Sequence, residues 1–346
     1  MTAPFVLSVL DQSPIPEGST GADALRNTLD LAQLADDLGY HRYWVAEHHG
    51  GTMVAGPSPE VLIGPIATLT TRLRVGSGGV MLPHYSPLKV AENFSILAGL
   101  FPDRIDLALG RAPGTDPLTT FALQRDRRQA APDDFPTQLA ELLGLLEDRL
   151  PSDHPFRRLS DLPGLPHAPE PWLLGSSPQS GIWAAELGLP YAFADFINPT
   201  GAAIAARYRS EFIDTGRLEA PRVAVGVSAI CAETDEEAQL IAASARMAFA
   251  MLRRGRPISI PPPEKAVRFL ESEGQTPATA PPGRRAVVGS PQTVAAGLHE
   301  VAEEYGADEL IVVAITHDHG ARRRSYELIA EAFDLVAARP AEQIAS

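Results

Sequence analysis

The 346-residue chain is predicted to fold as one α/β domain, a single (β/α)8 or TIM barrel with long loop insertions at its C-terminal face. Three observations carry that prediction. Short β-branched and aliphatic runs alternate with amphipathic stretches almost from end to end, eight of each kind can be counted, and the residues able to do chemistry follow directly on the ends of the apolar runs.

The first strand is predicted over residues 5–10 and runs into Asp11-Gln12-Ser13-Pro14. Leu25, Leu29, Leu31, Leu34, Ala35 and Leu38 then form one stripe at the helical period, closed by Gly39 past the last turn. The second strand, 42–47, leads into His48-His49-Gly50-Gly51 and a helix over 59–71. The third, 73–78, is followed by Gly79, by Met81-Leu82-Pro83-His84 and by a helix over 87–100. The fourth, 105–109, ends in Gly110-Arg111-Ala112-Pro113-Gly114, with a helix over 135–150 beyond. The fifth, 172–174, runs through Gly175-Ser176-Ser177 into a helix over 178–187. The sixth and seventh, 191–193 and 223–231, precede helices over 201–212 and 235–252. The eighth, 309–314, ends in Thr316-His317-Asp318-His319 before a helix over 325–338.

Two connections exceed ordinary loop length. Residues 112–170 are expected to carry a helical hairpin, and the proline-rich segment 253–289, with Pro257, Pro261, Pro262, Pro263, Pro277, Pro281 and Pro282, to fold over the mouth as a lid. The whole of 1–346 is read as one domain. A doubly wound dinucleotide fold is the rival, but Gly76-Ser77-Gly78-Gly79-Val80-Met81 lacks the third glycine and meets Pro83 and Pro87 where a helix should begin.

Composition removes several function classes. A formal net charge of -14 repels nucleic acid and anionic membranes, so neither is an expected partner. The absence of a long apolar run and of a basic, apolar leader predicts a cytoplasmic protein. One cysteine, Cys231, excludes an intramolecular disulfide, an iron–sulfur cluster and a thiolate zinc site, and its apolar neighbours read it as a packed core thiol. The two lysines, Lys89 and Lys265, are not placed for Schiff-base chemistry on a barrel strand.

What remains lies at the strand ends. Glu47-His48-His49 offers an imidazole that exchanges protons near neutral pH, next to glycines that let a planar ligand approach the backbone. One of the two histidines should point away from the barrel interior, because neighbours on a strand alternate. Arg111, directly after a buried strand, needs an anion or a carboxylate. Ser176-Ser177-Pro178 reads as a helix start with Ser177 as N-cap, and free N–H groups, two hydroxyls and a nearby arginine make a phosphate cradle. His317, Asp318 and His319 with His48 or His49 could instead form an open metal site, which keeps a metal-dependent barrel hydrolase as the different-class alternative. Their neighbours Arg322, Arg323 and Arg324 equally fit a charge-paired helix start.

Taken together, Trp44-Val45-Ala46-Glu47-His48-His49, Val75 to Pro83, Leu109 to Asp116, and Leu174-Gly175-Ser176-Ser177 leading to Ala184-Ala185-Glu186-Leu187-Gly188-Leu189-Pro190 resemble the bacterial luciferase-like flavin monooxygenases. Leu10 to Pro14 and Asp318 to Leu328 resemble a non-luminescent branch of that family. The resemblance implies a barrel that takes reduced FMN as cosubstrate, forms a C4a-peroxyflavin with dioxygen and oxygenates a small organic, apolar substrate. It implies His48 as the catalytic residue, with Glu47, Gly78, Gly79, Arg111, Ser176, Ser177, Gln179 and Ser180 around the cofactor. Arg111 and the serine-rich helix start would hold the phosphate, and Gly78–Gly79 would be a non-proline cis peptide against the flavin. Where luciferase has an acidic residue in the turn after the fifth strand, this chain has Ser176. His49, Asp11, His84 and Asp195 are further candidates. The resemblance also implies a homodimer, and the lack of a nicotinamide fingerprint suggests a separate flavin reductase. Within the family, a deazaflavin coenzyme used for hydride transfer is the alternative cofactor, and a flavin-binding protein without turnover is a further possibility.

Overall fold

The computed structural model describes residues 5–112, 115–124, 127–128, 134–278, 283 and 285–335. Its strands are β1 (Val6–Asp11), β2 (Arg42–Val45), β3 (Arg74–Met81), β4 (Ile105–Gly110), β5 (Glu170–Gly175), β6 (Tyr191–Ala194), β7 (Val223–Cys231), β8 (Ala286–Gly289) and β9 (Glu309–Val313). The helices are α1 (Gly21–Leu38), α2 (Pro59–Leu69), α3 (Pro87–Leu100), α4 (Pro117–Leu123), α5 (Phe135–Leu146), α6 (Pro178–Leu187), α7 (Ala202–Glu211), α8 (Asp235–Arg253), α9 (Pro263–Ser272), α10 (Pro291–Tyr305) and α11 (His319–Ala332).

Eight strands pair in parallel around a closed ring, β1-β2-β3-β4-β5-β6-β7-β9, and β9 returns to β1 through the register Val6 to Glu309. This is the predicted barrel. The helix boundaries follow local chemistry. Thr20 caps α1, its hydroxyl accepting from the Asp23 N–H at 3.2 Å while Asp23 accepts from the Thr20 N–H, and Gly39 ends the helix at φ 87°. Several others start on proline in the first turn, where no N–H is needed.

Three elements correct the sequence-based reading. Strand β8 was not among the eight predicted runs. It pairs with only the upper half of β7, Ser228–Cys231, while the lower half, Ala224–Ser228, holds β9. Strand β8 lies at the end of the proline-rich segment 253–289, expected from the sequence to be a lid. Helix α10 was also missed, although Val294, Leu298, Val301, Ala302 and Tyr305 are buried at helical spacing. The third concerns segment 253–289, whose described residues carry α9 and β8 rather than loop alone; 279–282 and 284, with Pro281 and Pro282 of the expected lid, lie outside the described residues. Pro263 opens α9, whose Ala266 and Leu270 pack on Ala243 and Met247 of α8. Three consecutive prolines, Pro261 to Pro263, there mark a helix start.

In segment 112–170, α5 buries Phe135, Leu139, Leu142 and Leu143 and packs against α3 as a member of the outer ring. Helix α4 buries nothing, and part of the proposed hairpin, 125–126 and 129–133, lies outside the described residues.

Below the barrel interior sits a buried ion cluster. Arg42, only 1% exposed, donates to Asp106 at 2.7 Å and Glu309 at 2.6 Å, and Arg74 also donates to Asp106 at 2.6 Å. Trp44 and Trp172 meet edge to face at 5.3 Å above it, with the Arg42 guanidinium 4.7 Å from the Trp172 ring. The Trp44 indole N–H donates to Asp106 at 2.9 Å, so the cluster fixes the floor on which the site is built. Cys231 is a buried core thiol, its pKa pushed up to about 12 by burial. No helix among the described residues is long and apolar enough to cross a membrane.

Candidate active site

A cavity of about 340 Å³ opens at the C-terminal ends of the strands. Its inner wall is apolar, made by Leu10, Trp44, Ala46, Leu174, Ala192 and Ile311, and its polar side carries His48, Arg111, Ser176, Ser177 and Ser180.

His48 follows β2 by three residues and reaches the cavity. Its backbone N–H donates to Gly56 O at 2.9 Å, which anchors the residue, while its Nδ1 is sealed from solvent without a hydrogen-bond partner. Burial, with a smaller contribution from His49, lowers its pKa to about 4, so at neutral pH it is an uncharged imidazole with a free polar atom. His49 turns the other way. Its Nε2 lies 2.7 Å from Glu47 Oε1, which also accepts from the Tyr85 hydroxyl at 3.1 Å. Glu47 Oε2 accepts from the Met81 N–H at 2.9 Å. Glu47 is therefore a buried brace between β2 and the end of β3 and is not on the cavity wall.

The Gly78–Gly79 peptide is cis. A Cβ at Gly78 would stand 2.6 Å from Leu10 Cδ1, and one at Gly79 would stand 2.5 Å from Ala108 O, so neither position has room for a side chain. Gly78 lines the cavity; Gly79 turns toward β4 and does not. The result is a flat stretch of backbone on the wall.

Arg111 stands one residue beyond β4, exposed at the cavity, and no carboxylate among the described residues pairs with it. Its guanidinium lies 5.6 Å from the Trp183 ring centre on α6. Ser177 is the N-cap of α6 in extended conformation, with Pro178 after it, but its hydroxyl makes no capping bond. The Ser180 hydroxyl donates to Ser177 O at 2.8 Å and meets the Tyr191 hydroxyl at 3.1 Å. An unpaired guanidinium, the hydroxyls of Ser176 and Ser177, and the first-turn N–H groups of α6 thus gather around one end of the cavity, a donor set suited to a phosphate. Gln179 sits in that turn, half-buried, but does not line the cavity.

The remaining candidates lie elsewhere. Asp11 accepts from Arg322 and from Tyr43, each at 2.6 Å, and although burial opposes it, these partners hold its carboxyl below the usual range. Asp195 Oδ1 accepts from Tyr305 at 2.8 Å and Arg285 at 2.9 Å, and burial raises its pKa. His84 packs edge to face on His49. His317, Asp318 and His319 have separate tasks: His317 contacts Glu17 O, Asp318 caps α11 by accepting from the Ala321 N–H at 2.7 Å, and His319 contacts Asp30 at 2.7 Å. Among the described residues no three His, Cys, Asp or Glu side chains converge as metal ligands.

Sequence reasoning passed over Gln12 and Trp183. Gln12 directly follows β1, a visible position, and lines the cavity wall, where its side-chain amide has no hydrogen-bond partner among the described residues. The place of Trp183 had no local signal, since only the docking of α6 on β5 brings the indole under Arg111.

An apolar slot with flat backbone, a neutral histidine holding an unsatisfied nitrogen, and a donor cluster at one end fits a planar, phosphorylated cofactor such as a flavin mononucleotide. On a closed parallel barrel, that combination defines an oxidoreductase-type site. The luciferase-like monooxygenase family matches residues 5–309, and the chain belongs to it. It is 45% identical over 329 residues to the uncharacterized protein YwcH of Bacillus subtilis, covering 94% of this chain and 98% of that one. To a luciferase-like monooxygenase of Escherichia coli it is 42% identical over 325 residues, covering 94% and 96%. The crystal structure of apo-MsnO8 superposes with a TM-score of 0.87 at 43% identity, covering 96% of this chain and 98% of the other. At lower identity the fold alone is shared, with the FMN complex of the oxygenating constituent of 3,6-diketocamphane monooxygenase from Pseudomonas putida (TM-score 0.70, 19%) and with an F420-dependent secondary alcohol dehydrogenase (TM-score 0.64, 14%).

Proposed function

We propose that this luciferase-like oxidoreductase is an FMN-dependent monooxygenase that transfers one oxygen atom to a small, largely apolar organic substrate. The observation that carries the reading is Arg111, a guanidinium without a carboxylate, held against Trp183 at the end of an apolar cavity where Ser176, Ser177 and the start of α6 also point. Such a cluster favours a phosphate monoester over a neutral ribityl end. When bound, reduced FMN supplies the electrons that activate dioxygen at its C4a carbon, one oxygen atom passing to substrate and the other leaving as water.

The chain's own residues do the rest. Gly78 provides a side-chain-free surface for the ring, with Gly79 packed against β4 behind it, and the aliphatic wall excludes water from the ring. His48 lines the cavity, and its neutral state lets its imidazole take up a proton from the substrate or cofactor. A separate reductase delivering reduced FMN and assembly as a homodimer complete the proposal.

The test is anaerobic titration of the purified protein with reduced FMN, reduced riboflavin and a reduced deazaflavin coenzyme. The reading predicts FMN binding about tenfold or more tighter than riboflavin, the equivalent of one charge-assisted phosphate contact. Equal affinity for FMN and riboflavin, or tight binding of the deazaflavin coenzyme alone, would overturn it.

A further inference from the structure

Beside the main cavity lies a second, of about 40 Å³, with Gln12 and Phe196 as walls common to both. It is bounded by the upper half of β7, by β8, by the residues after β9 and by α8, and most of its lining is apolar: Phe196, Ile230, Ala242, Ala245, Val288 and Ile315. Into this lining comes Arg246 of α8.

Three arginines among the described residues are buried, and two of them are neutralised. Arg42 holds Asp106 and Glu309, and Arg322 holds Asp11. Arg246, 8% exposed, has no carboxylate among the described residues within ion-pair distance. Among the described residues it hydrogen-bonds only Gln239, through Nη2 to Oε1 at 2.6 Å and Nη1 to the backbone O at 3.4 Å, which leaves three of its five N–H donors unengaged there. Gln239 in turn donates to Val288 O at 3.2 Å, so the guanidinium is braced on the β8 side, where the small cavity lies. Burial alone lowers its pKa to about 10, still fully charged at neutral pH. The other arginine of this cavity, Arg285, already holds Asp195 at 2.9 Å and Glu304 at 2.5 Å. A buried charge without a counterion is costly, and in a chain of net charge -14 an acidic partner would not be scarce.

We propose that Arg246 is the specificity residue for an anionic substrate: the small cavity takes a carboxylate headgroup, which the guanidinium fork binds, while the apolar body of the substrate extends past Gln12 and Phe196 into the main cavity toward His48. The fork geometry matches a carboxylate, and the volume suits a headgroup of a few atoms. The unengaged amide of Gln12 and the Ser228 hydroxyl add donors on the same wall. The substrate class is thus an amphiphilic organic acid. This rests on the flavin reading for the place where the substrate's reacting end lies.

The experiment measures calorimetric binding to the full-length protein, with and without FMN, of linear monocarboxylates from butyrate to decanoate and of the matching primary alcohols. The account predicts that at least one acid binds about tenfold or more tighter than its alcohol, as expected for a charge-assisted contact, and that Arg246→Gln abolishes the preference while leaving FMN affinity unchanged. Arg246→Lys, which keeps charge without the fork, should retain a reduced preference. An acid series that binds no better than the alcohols, or a preference that survives Arg246→Gln, overturns the proposal. Should the Gln variant not fold, the wild-type comparison and the Lys variant decide. Failure to bind FMN would sink the flavin reading separately, because the acid preference is read in its absence as well.

Discussion

The guanidinium of Arg111 lies 5.6 Å from the ring centre of Trp183, and these two residues, one just past β4 and one on α6, face each other at the phosphate-like end of the cavity. A cation resting on an indole keeps its N–H donors in the guanidinium plane free for an anion.

Arg111→Ala is therefore expected to weaken FMN binding by about 1.5 to 3 kcal/mol while changing riboflavin binding little. Trp183→Ala should act in the same direction with a smaller effect, about 0.5 to 1 kcal/mol, by losing the cation–π support. Fluorescence titration of both flavins against both variants checks this, and parallel losses for the two flavins would place the phosphate elsewhere.

His48 gives a pH signature. Its pKa of about 4 in the folded protein, against an ordinary 6.5, means that the unfolded chain binds the proton more readily, so this residue's contribution is complete above pH 6.5 and is lost as pH falls toward 4. The component is worth about 3 kcal/mol, and His48→Gln should remove it. Urea unfolding of both proteins between pH 7 and 4 isolates it as the difference of two curves, because the carboxylates titrate in both. The same variant should keep FMN and lose turnover by about a hundredfold or more.

The flat wall is open to a packing test. Gly79→Ala brings a Cβ to 2.5 Å from Ala108 O, so the backbone must shift, with an expected loss of about 1 to 3 kcal/mol in stability and weaker flavin binding. Gly51→Ala, where the nearest atom is 3.8 Å away, should be close to neutral in both measurements. Thermal unfolding and flavin titration distinguish the two.

Arg42→Met tests the floor. It strands Glu309 without its cation, leaves Asp106 with Arg74 alone, and should cost about 3 to 5 kcal/mol in chemical denaturation. Because Asp106 also holds the Trp44 indole at 2.9 Å, the loss should extend to the cavity wall and lower flavin affinity, which an isolated surface change would not do.

These relationships also show what could be read in advance. The closed barrel, the run that becomes β3 and the Ser177-Pro178 helix start were legible, because periodicity and cap residues are local signals, whereas the cis Gly78–Gly79 peptide was implied only by the family resemblance. Strand β8 and the packing of α9 were not, since a four-residue strand and a proline-led helix take their identity from β7 and α8. Helix α10 was legible in its stripe from Val294 to Tyr305 and was passed over. Within the site, His48, Arg111, Ser176, Ser177 and Ser180 share one cavity, whereas Glu47 and Gln179 lie off it, because adjacency in the chain does not say which way a side chain turns. Arg246 gave no warning at all: only the tertiary structure shows that its helix face is buried and that no acid among the described residues meets it.

The most direct test of the central claim is to bind reduced FMN to the protein without oxygen, mix it rapidly with aerated buffer and follow the absorption spectrum. The account predicts reoxidation through a protein-held species spectrally distinct from both reduced and oxidised FMN, decaying more slowly than free reduced FMN reacts. Immediate conversion to oxidised FMN, as fast as in free solution, would contradict it.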